Sequence, residues 1–210
     1  MRIVWLSANK FGLELLKEAT KFSNEIVGIV TLDDNAKTIM YDSVKVSDWD
    51  NFGLPVIRVK NINDELPLVA TLKPDLIVMA GWRQILGEEF LNLPKEGVVG
   101  FHPTLLPKGR GSAPIINSII SGFKRSGITF FYVGSGIDDG DIIGQDKFEF
   151  SIQAMLVKDL QKYKLGAHTD TTTKFLTFLN PIFSKSFTSL VYIAKLNLSS
   201  ISLSNLALSL

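Results

Sequence analysis

Four short apolar runs, at Ile3–Leu6, 26–31, Val56–Val59 and 76–80, are separated by segments of helical character. This alternation constrains the fold more than any other feature of the chain. The runs have the length and β-branched content of buried strands. Between the first two, Leu13, Leu15, Leu16 and Ala19 form a helical stripe, and 64–72 can form a shorter helix ahead of the run at 76. Strand–helix–strand alternation predicts a parallel sheet covered on both faces, with ligands gathering where strands end. Further on, 98–101 reads as a strand that ends at His102, after which Pro103, Pro107, Gly109 and Gly111 forbid regular structure. A helix is expected over 113–121, a strand over 127–133, a glycine-rich polar turn over 134–141, and an edge strand over 142–150. One interrupted helix fits 156–180, and no internal repeat is evident.

Composition narrows the chemistry. The 210 residues suit one ordinary domain with a small appendage, and 46% hydrophobic against 20% charged residues fits a globular chain. Lys and Arg number 22 against 21 Asp and Glu, so no basic surplus favours a nucleic-acid substrate. There is no Cys and there are only two His, which disfavours a metal centre; none is expected. The first residues carry no signal-peptide pattern, which leads to the expectation of a cytoplasmic protein. No stretch has the length of a membrane span, although 190–210 is apolar and Ser-rich.

Candidate functional residues follow the later strands. A lone histidine is more often a hydrogen-bonded structural residue than a catalytic one. His102, however, opens a rigid cationic loop, His-Pro-Thr-Leu-Leu-Pro-Lys-Gly-Arg-Gly, and 36 residues later Asp138 and Asp139 sit on a second loop. A carboxylate beside an imidazole can orient it or exchange a proton with it as an amine attacks a carbonyl. Asp and Gly are also the usual turn formers, so the acidic turn alone is weak evidence. Lys108 and Arg110 could hold a phosphate or carboxylate near the start of the next helix, or be a solvated basic turn. Gly81-Trp82-Arg83-Gln84-Ile85-Leu86 follows the strand at 76–80. Its backbone could grip a flat ring; alternatively Ile85 and Leu86 fill the core. Neither a Walker A loop nor G-x-G-x-x-G follows the first strand, which disfavours ATP and NAD.

Two joined stretches, Gly100-Phe101-His102-Pro103-Thr104-Leu105-Leu106-Pro107 and Gly136-Ile137-Asp138-Asp139-Gly140-Asp141, resemble the folate-dependent formyltransferases. That family carries Asn-x-His-Pro-Ser-Leu-Leu-Pro, a basic glycine-containing loop, and Gly-Leu-Asp-Thr-Gly-Asp. The resemblance covers residues 1 to about 150. It implies a Rossmann-like α/β domain with a mostly parallel sheet, an N-formyltransferase that takes its one-carbon unit from 10-formyltetrahydrofolate, and catalytic roles for His102 and Asp138. It assigns the folate to Arg83, Gln84, Ile85, Leu86, Gly136, Ile137, Asp138 and Asp141, and the acceptor to Pro103, Thr104, Lys108 and Arg110.

Two departures mark this chain. The family's Asn, which donates to the developing oxyanion, is Gly100 here, and loss of one such donor typically costs about 2.7–4 kcal/mol of transition-state stabilisation. Residues 184–210 hold eight Ser and seven Leu, unlike the family, so the expected division is a catalytic domain over 1–183 and an atypical tail over 184–210 that could mediate homodimer formation. The first strand does not lead into the phosphate loop usual in glycinamide ribonucleotide formyltransferases. The tail does not resemble the basic barrel that methionyl-tRNA formyltransferases append. By elimination the expected acceptor is a small amine on a nucleotide-linked amino sugar. The rivals are a folate-binding homologue without turnover, a methionyl-tRNA formyltransferase-like activity, and a formyl-folate hydrolase.

Overall fold

The computed structural model describes residues 1–21, 25–38 and 43–149. The helix expected over 156–180 and the tail at 184–210 lie outside the described residues. Within them, seven strands form one sheet: β1 (Ile3–Leu6), β2 (Ile26–Leu32), β3 (Val56–Val59), β4 (Leu76–Met79), β5 (Val98–His102), β6 (Arg125–Tyr132) and β7 (Ile142–Glu149), in the order β3-β2-β1-β4-β5-β6-β7. The first five run parallel, and β6 and β7 are antiparallel to their neighbours. This is the mostly parallel, Rossmann-like sheet that the alternation of elements requires.

The strands alternate their side chains between two cores. Ile3, Trp5, Val78, Val99 and Phe130 pack on one face under helix α1 (Lys10–Ala19), together with the wholly buried Trp49. Val4, Leu6, Val30, Ile77 and Val98 pack on the other with Val69 of α2 (Leu66–Ala70) and Phe90 of α3 (Glu88–Leu91). Period two along a strand and a helix on each face explain why parallel strands read as continuous apolar runs. Trp49 lies on a 3-10 helix, Val46–Phe52, that the sequence pattern did not suggest, because its apolar residues fit neither period. No described helix is long and apolar enough to cross a membrane.

Helix α1 starts where its sequence stops being strand. Asn9 caps it, its side-chain oxygen accepting from the Gly12 amide at 2.9 Å. Leu13, Leu15 and Leu16 bury its inner face, about 1.5–3 kcal/mol each. Gly12 lets the first turn settle onto the sheet: a Cβ there would run into Ser7 Oγ and the Ala80 carbonyl, while the Gly12 carbonyl accepts from the buried Trp5 indole at 3.2 Å. Neither obstacle is the free end of a flexible chain. Gly12→Ala is therefore expected to destabilise the protein by about 1–3 kcal/mol, despite alanine's better helix propensity, as read from the denaturant midpoint. An unchanged or raised midpoint would mean that the helix does not pack this closely.

Candidate active site

His102 is the last residue of β5, so its backbone is fixed in the ladder opposite Thr129 of β6. Its side chain is 8% exposed. Nε2 lies 2.8 Å from the Gly109 carbonyl, and since a carbonyl only accepts, Nε2 is the nitrogen that carries the hydrogen. Nδ1 faces Asp138 Oδ2 at 3.3 Å. That same oxygen accepts from the Gly111 amide at 2.8 Å. The two motifs, 36 residues apart in sequence, thus meet in one triangle of imidazole, carboxylate and loop backbone.

Strand direction alone does not produce this meeting. Because β6 is antiparallel to β5, it ends beside Val99, three residues down β5 from His102, or roughly 10 Å at strand rise. The loop 134–141 must double back to return Asp138 to the histidine. Tight packing makes the reversal: a Cβ on Gly140 would strike the Tyr132 carbonyl, one on Gly136 the Asp139 carboxylate, and Asp138 itself sits at φ 48°. Aspartate is among the few non-glycine residues that visit this left-handed region readily. On the facing loop, Gly109 and Gly111 adopt φ 72° and 91°, and Ala113, φ 50°, precedes Pro114 at the start of α4 (Pro114–Ile120).

The remaining expected residues are placed variously. Asp141 closes the β6–β7 hairpin, its carbonyl accepting from the Tyr132 amide. Thr104 is buried, and its hydroxyl donates to the Lys108 carbonyl at 2.8 Å, shaping its own turn; Pro103 lies half-buried between it and the histidine. Lys108 and Arg110 stand exposed on the outer side of that turn. In the loop after β4, Gln84 clamps neighbouring segments: Nε2 donates to the Lys60 carbonyl and Thr38 Oγ1, and Oε1 accepts from the Ile62 amide, all at 2.8 Å. Leu86 enters the core while Ile85 is 74% exposed, so only one of the two fills the interior. Arg83 is exposed, and Ile137, on the Asp138 loop, is 64% exposed. Among the described residues, two buried side-chain polar atoms have no hydrogen-bond partner, Ser7 Oγ after β1 and Trp82 Nε1 after β4. Trp82 stands in the loop that the sequence offers as a grip for a flat ring, where no single role distinguishes it from its neighbours. No group of three or more His, Asp or Glu that could hold a metal occurs among the described residues.

Gly100 lies two residues before His102, on the same face of β5. A Cβ there would meet Val133 Cγ2 at 3.0 Å, Phe131 Cε1 at 3.2 Å and Met79 Cε at 3.4 Å. Phe131 and Met79 are its register partners on β6 and β4. The space beside this glycine is thus filled from both flanking strands by apolar side chains.

The family described as formyl transferase matches residues 1–163 of this chain. A methionyl-tRNA formyltransferase of Bacillus velezensis is 36% identical over 153 residues, 70% of this chain and 48% of that protein. The chain spans about half the length of such relatives. Among solved structures, the phosphoribosylglycinamide formyltransferase of Bacillus halodurans is similar with a TM-score of 0.68, at 20% identity and covering 100% of both chains. A sugar 3N-formyl transferase, solved in the presence of dTDP and 5-N-formyl-THF, is similar with a TM-score of 0.55, at 20% identity over 89% of this chain and 64% of that one. At such identities the structural likeness speaks for the fold.

The filling of the Gly100 site can be tested by putting the asparagine back. Gly100→Asn is expected to cost about 1–3 kcal/mol of stability by overpacking, and Met79→Ala in the same chain to offset part of that cost, measured as a denaturant double-mutant cycle. Strictly additive costs would mean that Met79 does not hold the space.

Proposed function

The chain belongs to the formyl transferase family, and from that premise we propose that it transfers a formyl group from 10-formyltetrahydrofolate to an amine. The observation that carries the proposal is the contact between His102 Nδ1 and Asp138 Oδ2 at 3.3 Å, with Asp138 held by the Gly111 amide. In a formyl transfer the amine attacks the formyl carbon, the carrier's C–N bond breaks, the amine loses a proton and the carrier nitrogen gains one. What the protein must supply is a group that can take up and return that proton without net change. The imidazole–carboxylate pair fits, because Nε2 is committed to the Gly109 carbonyl and Nδ1 is the nitrogen free to exchange a proton with the carboxylate.

The loops assigned to the folate suit a flat ring with polar edges. Ile85 and Ile137 leave large apolar surfaces exposed, one on each loop, and Trp82 Nε1 is a buried donor without a partner among the described residues. In this reading Arg83, Gln84, Ile85 and Leu86 present backbone to the ring, with the Gln84 side chain fixing the loop, while Gly136, Ile137 and Asp141 shape the opposite wall. The acceptor is a nucleotide-linked amino sugar. Its phosphates would be met by the exposed Lys108 and Arg110, beyond the turn formed by Pro103 and Thr104. A second reading, methionyl-tRNA as acceptor, is favoured by the 36% identity to a methionyl-tRNA formyltransferase across the matched half.

Tetrahydrofolate release from 10-formyltetrahydrofolate, measured with purified full-length chain alone, with nucleotide-linked amino sugars and with charged initiator tRNA, distinguishes these readings. Release only with an amino sugar is expected, and His102→Ala or Asp138→Asn should lower it on the order of 10²- to 10⁴-fold. Release only with tRNA transfers the assignment to the second reading. Release without any amine would identify a hydrolase, and folate binding without release would end the enzymatic reading.

A further inference from the structure

We propose that Thr129, supported by Gln145, is a positioning residue of this site: its buried hydroxyl holds the turn that fixes the ring of His102. The inference rests on the formyl-transfer reading for its kinetic consequence, though not for its structural one. Thr129 lies in the centre of β6, wholly buried, opposite His102 on one side and Gln145 of β7 on the other. A hydroxyl has one hydrogen to give and two lone pairs. All three are engaged: Oγ1 donates to the Thr104 carbonyl at 2.6 Å and accepts from the Leu106 amide at 3.0 Å and from Gln145 Nε2 at 2.8 Å. Gln145 gives its second amide hydrogen to the Leu106 carbonyl at 2.8 Å. Three backbone groups of the irregular segment after His102 are therefore satisfied by two side chains from the neighbouring strands.

The turn carries this anchorage back to the histidine. Thr104, held through its carbonyl, donates its own hydroxyl to the Lys108 carbonyl at 2.8 Å, and the Lys108 amide donates to the Leu105 carbonyl. Leu105 lies flat on β6 where Gly127 has no side chain; a Cβ there would strike Leu105 Cδ2. The closed turn presents the Gly109 carbonyl to His102 Nε2. Which ring nitrogen of a histidine carries the proton is set by the hydrogen bond that the other makes. Holding Gly109 in place therefore keeps the hydrogen on Nε2 and leaves Nδ1 facing Asp138. Thr129 and Gln145 touch no reacting atom and act through the tautomer and orientation of the ring.

The chain's two histidines, His102 and His168, make that tautomer directly readable in long-range 1H–15N spectra of the full-length protein, with His168→Gln supplying the assignment. Wild type and Thr129→Ser should show His102 hydrogen on Nε2, whereas Thr129→Val and Gln145→Met should show a shifted, mixed-tautomer ring. Gln145→Met provides a folded comparison on the edge strand should the buried valine substitution compromise folding. In the transfer assay both variants should lose on the order of ten- to a hundred-fold in kcat, with KM for the formyl donor within about twofold of wild type, and serine should restore it. An unchanged ring spectrum and unchanged kcat in folded Thr129→Val and Gln145→Met overturn the inference, as does a serine variant as impaired as the valine. If wild type transfers no formyl group but the ring spectrum responds as stated, the proposed function fails and the positioning role stands.

Discussion

The antiparallel ladder between β5 and β6 is the constraint on which the rest of the site depends. Its four register pairs, from Val99 opposite Tyr132 to His102 opposite Thr129, decide which side chains meet. They set Gly100 against Phe131, the histidine against a threonine whose hydroxyl can reach around it, and β6 so that it runs on past His102 to end beside Val99. A slip of one residue would turn every β6 side chain to the opposite face. Thr129 would then leave the turn it anchors, and Phe131 would leave the space beside Gly100. The reversal of strand direction also obliges the 134–141 loop to fold back, which is why that loop is made of residues that tolerate close contact and positive φ.

Gly100 shows how the same ladder redistributes a chemical role. The family motif puts an amide donor at this position, and here the site is closed by Met79, Phe131 and Val133. An apolar wall beside His102 lowers the local capacity to screen charge, so the donors that remain act more strongly. They are backbone groups. The Gly111 amide already serves Asp138, and the glycine-rich loop 108–111 runs past the histidine with Gly109 and Gly111 in left-handed conformations that only glycine adopts cheaply. Formyl transfer on this scaffold would draw its oxyanion stabilisation from main chain or water rather than from a strand side chain, a less directional arrangement that the tight fixing of the ring partly offsets.

Much of this was legible in the sequence because parallel strands buried on two faces leave a plain signature. β1 and β3 match their apolar runs, and β2 and β4 each differ by one residue at one end. His102 and Asp138 were recognisable through joined motifs, since neither a lone histidine nor an Asp-Gly turn stands out by composition. Less legible were features that depend on partners distant in sequence. Gln84 makes three side-chain bonds, to Thr38, Lys60 and Ile62, that no sequence pattern announces. Thr129 reads as one more β-branched residue in a strand, because nothing in a one-dimensional pattern distinguishes a threonine that packs from one whose hydroxyl is saturated. The antiparallel turn of β6 was hidden for the same reason: strand pattern records burial, not direction.

A division of labour follows from where these constraints lie. The turn beside His102 is held from β6 and β7, by the buried Thr129 hydroxyl and by the side-chain amide of Gln145, a residue exposed on the edge strand. The side chains of Lys108 and Arg110, which the proposed function assigns to the acceptor, stand exposed on the same turn, while the Lys108 backbone is tied into it through Thr104 and Leu105. Thr129 and Gln145 bond each other and backbone groups of Thr104 and Leu106, so side-chain changes at Lys108 and Arg110 remove none of these bonds. Under the proposed function, this separation would locate acceptor choice in loop surface rather than in fold, with the imidazole and its carboxylate left undisturbed.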